Sequence, residues 1–134
     1  MLRKRPWLLL LLALALRLLA QGWDAGSSSS TLHPDERQIA FVTEKLEGFL
    51  DDPGFYAYGS LHFQAARVAA TITGLDDGLR ELTLAARLVS LLASMLALAL
   101  GWLLARHAWG RRSANLVLLL GALVPLGLQQ ARFA

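Results

Sequence analysis

Leu82–Ala105 reads LTLAARLVSLLASMLALALGWLLA, an apolar run whose one charge is Arg87. A helix crossing about 30 Å of hydrocarbon needs about 20 mostly apolar residues, so this stretch predicts a membrane span. Trp102 lies near one end, and Arg106, His107, Arg111 and Arg112 lie just beyond it. Arg87, early in the run, is expected to snorkel toward the nearer interface. Two further apolar runs flank it. Residues 114–130 are long enough for a shorter span, with Pro125 expected to kink it and free a carbonyl. Residues 1–22 join Arg3-Lys4-Arg5 to the apolar run Trp7–Leu16, the pattern of a signal peptide or of an uncleaved anchor. Arg17 interrupts the run and no small-x-small site follows at once, which favours the anchor.

Basic residues then orient the chain. Arg3, Lys4 and Arg5 put the N-terminus in the cytoplasm, and Arg106, Arg111 and Arg112 put residues 106–113 there too. The expected organisation is a first span (1–22), an external loop (23–81), a second span (82–105), a cytoplasmic loop (106–113) and a third span (114–130). Trp23 and Trp109 fall where interfacial aromatics belong. The fold class expected is an all-α membrane protein with three transmembrane helices and two short juxtamembrane amphipathic helices in the external loop. A multi-pass protein of a bacterial inner (plasma) membrane fits, since eleven Arg against two Lys, with much Ala and Leu, points to a GC-rich source.

Composition narrows the chemistry. The net charge is +3 and the pI about 10.0. The Lys and Arg residues sit mostly at the ends of apolar runs, which argues for topology signals and against a nucleic-acid surface. There are no cysteines, which excludes thiol catalysis and Cys-based zinc sites. His33 and His62 lack metal-ligand spacing, so neither a metal nor another cofactor is expected. No phosphate-binding Gly-rich loop, nucleophile elbow or HExxH pattern occurs.

All ten carboxylates fall between Asp24 and Glu81, inside the external loop. His33-Pro34-Asp35-Glu36 opens its first structured part, after the polar linker Gly26–Ser30. One reading is helix N-terminus chemistry, with Pro34 in a first helical position and two acids at the positive dipole end. The other is a catalytic base. Asp35–Leu50 has amphipathic periodicity, with Ile39, Val42, Leu46 and Phe49 on one face. At about 100° per residue Asp35 projects onto that face and Glu36 lies to one side. A carboxylate turned toward apolar surroundings has its charged form disfavoured and becomes a stronger base.

Asp51-Asp52-Pro53-Gly54 has turn chemistry, and Phe55-Tyr56-Ala57-Tyr58-Gly59-Ser60 follows. The tyrosines read more readily as interfacial anchors than as catalysts. Leu61–Thr73 predicts a second short helix, with Ser60 as N-cap candidate and Gly74 at its C-terminal cap. Asp76 or Asp77 can cap the helix that enters the membrane.

These pieces resemble the N-terminal part of polytopic glycosyltransferases of the GT-C type, the glycosyltransferase 39 group with its protein O-mannosyltransferases and aminoarabinose transferases. His33-Pro34-Asp35-Glu36-Arg37 matches the HPDE form of their acidic motif. Phe55–Leu61 is similar to their FxAYGSLP stretch, with His62 where a Pro is usual. Glu81-Leu82 leading to Arg87-Leu88 resembles their entry into the second span. Leu123-Val124-Pro125-Leu126 followed by Gln129–Ala134 resembles their exit from the third.

The resemblance implies transfer of a sugar from a polyprenyl-phosphate donor to the hydroxyl of an unspecified acceptor, with inversion. It implies Asp35 as base and Glu36 as its partner in binding or orienting the acceptor. Arg17, Arg37 and Arg132 are candidates to meet the phosphate, and Tyr58 is carried as a further substrate-binding candidate. Family members have about a dozen spans, so the chain is expected to be an N-terminal fragment, inactive alone. The competing expectation is a small three-span membrane protein that acts as an interaction or assembly module.

Overall fold

A computed structural model of the chain describes residues 6–22, 34–48, 51–55 and 59–124. These form four helices in the order α1 (Pro6–Gly22), α2 (Pro34–Glu44), α3 (Ser60–Thr73) and α4 (Leu79–Leu123), with no strand among them. They fall into two compact units. One contains α1 and α4 from Leu91 onward; the other contains α2, α3 and α4 up to Ser90. Of the described helices, α4 is the one long and apolar enough to cross a membrane. α1, with 17 residues, is a shorter apolar helix.

In the first unit α4 is not one straight rod. Gly110 has φ 80 and ψ 175, a conformation open essentially to glycine alone, and the chain reverses there. Residues 106–113, expected as a loop, are helical on either side of that one residue. The two arms pack through small residues. A Cβ added at Gly121 would lie 2.5 Å from Cδ2 of Leu98, so the missing side chain sets how closely the arms approach. Ala114, Leu118 and Ala122, four residues apart, are the buried stripe of the second arm. Leu9, Ala13 and Arg17, at the same spacing, are that of α1. The expected kink at Pro125 lies outside the described residues.

In the second unit two apolar clusters join three helical segments. Ile39, Val42 and Leu46 meet Phe63, Ala66 and Ala86, with Phe55 packed edge-on against Phe63 at 6.1 Å between ring centres. Ala40, Ala70, Leu82 and Ala85 form the other cluster. Five of these ten buried side chains are alanines, which lets the backbones come close.

The helix ends follow from local chemistry. α2 stops at Glu44, six residues short of the expected end at Leu50. The Asp51 carboxylate accepts the backbone N–H groups of Glu47 (2.7 Å) and Gly48 (2.6 Å). Both donors would otherwise bond carbonyls of α2, and the side chain competes successfully for them. The Asp52 carboxylate accepts the Gly54 N–H at 2.9 Å, the expected turn chemistry.

α3 begins at Ser60 itself, with Gly59 in the cap position and no side-chain cap. It ends as expected on Gly74, left-handed at φ 69, whose N–H and that of Leu75 both bond the Ala70 carbonyl. At the start of α4 the capping oxygen comes from Glu81, which accepts the Asp77 N–H at 3.2 Å, and not from Asp76 or Asp77.

Candidate functional site

The face α2 buries is wider than the large apolar residues indicate. Ala40 and Thr43 are fully buried along with Ile39, Val42 and Leu46. Their inclusion turns the centre of the buried face away from Asp35 and toward Glu36. Asp35 accordingly sits partly exposed at the edge, and Glu36 is the buried acid at 4% exposure. This corrects the expectation that Asp35 projects onto the face with Glu36 beside it.

Arg87 meets Glu36 there. Its Nε donates to Oε1 at 2.7 Å and its Nη2 to Oε2 at 2.9 Å, the two-pronged geometry in which a guanidinium fits a carboxylate. The two side chains are 5% and 3% exposed. Arg87 therefore does not snorkel; it turns inward to a countercharge. Taking both ions out of water costs several kcal/mol each, and only close pairing with further hydrogen bonding offsets that. Both oxygens of Glu36 are committed to this contact, so the residue is poorly placed to accept a further proton or hold an acceptor without breaking it.

Arg17 is also buried, at 2% exposure, in the first unit. Its Nε donates to Ser94 Oγ at 2.7 Å, Nη1 to the Ala13 carbonyl at 3.3 Å and Nη2 to the Gly121 carbonyl at 3.3 Å. One side chain thus ties α1 to both arms of α4. Its acceptors are all neutral, and no described carboxylate pairs with it. A buried cation held by neutral oxygens keeps its net charge, its field reduced by the acceptor dipoles but not cancelled.

Of the remaining expected site residues, Arg37 is exposed on α2 beside the pair. Tyr58 and Arg132 lie outside the described residues, as does His33. No cluster of three or more His, Cys, Asp or Glu side chains that could hold a metal ion occurs among the described residues. Thr43 Oγ1 is buried with no hydrogen-bond partner among them, and the structure offers no account of it.

Arg87 was the residue whose role escaped sequence reasoning. The available signal was its place six residues into an apolar run, where a charge needs a partner or a route to water. All acids lie upstream of that run, so the partner had to come from the loop, but nothing local identified which one. Comparison with protein-family models, with curated proteins and with solved structures gives no match for this chain.

Proposed function

We propose that the chain is the N-terminal part of a polytopic GT-C type glycosyltransferase that moves a sugar from a polyprenyl-phosphate donor to an acceptor hydroxyl, with Asp35 as general base. The observation carrying this reading is the buried Glu36–Arg87 pair. It anchors the first turn of α2, and so the backbone that presents Asp35, to the head of the long apolar helix. The HPDE motif then has a division of labour. Glu36 is a positioning residue and Asp35, partly exposed one residue earlier, takes the proton as the acceptor oxygen attacks. Rigid placement of the base is what such a step needs.

The leaving group is a lipid phosphate, whose growing charge calls for cations. Arg37, exposed on α2 in the unit that carries Asp35, is the described arginine assigned to it. The reading places the protein in a bacterial inner membrane with three spans in this part of the chain, the N-terminus cytoplasmic and α2 and α3 on the external surface. Two features support a surface position for α3. Phe63, Ala66 and Ala70 face the core, while Leu61, Val68 and Ile72, on the opposite side, stay exposed. A helix apolar on both sides suits a core on one and lipid on the other.

The test is sugar transfer from a radiolabelled polyprenyl-phosphate donor by membranes expressing the gene's full open reading frame. Asp35→Asn keeps size and most hydrogen bonding and should lower transfer by roughly 10²–10⁴-fold with donor binding retained. Near-normal transfer by this variant would reduce the motif to a helix cap. A frame that stops at Ala134 would favour the interaction-module reading instead.

A further inference from the structure

The reversal at Gly110 gathers chemistry that sugar transfer does not use. Arg106, His107, Arg111 and Arg112 lie within seven residues and are all exposed, as is Trp109 at 72%. No Asp or Glu follows Glu81 anywhere in the sequence, so residues 82–134 add no acidic side chain to this end of the hairpin. The approach of Leu98 to Gly121 and the hydrogen bond from Trp102 Nε1 to Asn115 Oδ1 at 3.1 Å set the register of the two arms. That register is centred near residue 109 and brings Arg106 across from Arg111 and Arg112. Arg106 is also partly pre-positioned: its guanidinium lies over the Trp102 ring at 5.2 Å, and Trp102 is itself held by Asn115.

Directly behind the basic tip, both arms present apolar side chains outward: Leu103 and Leu104 on one, Leu116 and Val117 on the other. A nucleic-acid groove would not be bordered by exposed leucines. A molecule with a phosphate at one end and acyl chains at the other matches this order of surfaces. We propose that the hairpin tip is a binding surface for anionic glycerophospholipid. The arginine forks take the headgroup phosphate, Trp109 lies at the headgroup level and the leucines meet the chains. The inference rests on α4 being inserted in a membrane.

The experiment uses the purified chain in neutral maltoside micelles, with Trp109 fluorescence obtained by difference from a Trp109→Phe variant. Phosphatidylglycerol with brominated chains should quench it at roughly tenfold lower mole fraction than brominated phosphatidylcholine. The triple variant R106K/R111K/R112K keeps the charge that orients the hairpin but removes the two-pronged contacts, and should lose most of that preference. R106Q/R111Q/R112Q should lose all of it. Equal quenching by the two lipids, or an unchanged preference in the glutamine variant at unchanged helical circular dichroism, overturns the lipid site alone. Quenching by neither lipid overturns the membrane insertion of α4, and the site with it.

Discussion

Arg87 grips Glu36 through two hydrogen bonds, 2.7 and 2.9 Å long, across 51 residues of chain. The contact joins the first turn of α2 to the third turn of α4. Because both charges are desolvated, losing one partner should hurt more than losing both. Glu36→Ala and Arg87→Ala are each expected to destabilise the second unit by about 3–5 kcal/mol. The double variant should cost less than either single one, because it leaves no buried charge without its counterion. Glu36→Leu combined with Arg87→Met should recover most of the loss, since well-packed apolar pairs replace buried ion pairs at little cost. Thermal unfolding in micelles, followed by circular dichroism, measures all of them.

Stability and transfer should separate the two acids of the HPDE motif. Glu36→Gln is expected to lower the unfolding temperature and sugar transfer together, because it loosens the element carrying the base. Asp35→Asn should lower transfer alone, at an unfolding temperature close to that of the parent. Parallel losses in both variants would argue against assigning the proton to Asp35.

Topology follows from where the arginines fall. A phosphatase reporter fused at Gly54 should be active outside the cytoplasm, and one fused at Gly110 should be silent. A cytoplasmic signal from the Gly54 fusion would reverse the orientation and remove α2 and α3 from the external surface.

Ser94 is the nearest acceptor to the buried Arg17 guanidinium, at 2.7 Å. Ser94→Ala leaves Nε without that acceptor and should destabilise the first unit by about 0.5–2 kcal/mol. Ser94→Thr, which keeps the hydroxyl, should cost less. Unfolding of the purified chain in mixed micelles of rising SDS content gives both values.

Gly110→Ala should weaken the hairpin by about 1–3 kcal/mol. An added Cβ there meets nothing within 4 Å, so the cost is backbone strain and not a clash. Gly110→Asn should fare no better. Asparagine tolerates the left-handed helical region, but ψ 175 lies far from it. The same SDS titration distinguishes these outcomes, and an asparagine variant as stable as the parent would contradict the backbone account.

Much of the local structure was written in short-range signals. The apolar length of α4, the periodicity of α2 and α3, the left-handed Gly74 and the Asx turn at Asp52 each depend on residues within a few positions of one another. Sequence reading finds such features because their cause is local.

Two things depended on the tertiary structure, and a third, though local, escaped a reading by periodicity. The buried face of α2 includes Ala40 and Thr43, whose small side chains add little to an apolar pattern yet occupy the closest approach between helices. That choice buries Glu36 in place of Asp35. The end of α2 was set by Asp51 competing for its last donors, a contest between two local readings that periodicity does not score. Above all, Arg87 could be seen to need a countercharge but not which one. Pairing across 51 residues is decided by how three helices pack, and a buried charge selects the carboxylate that packing delivers to it.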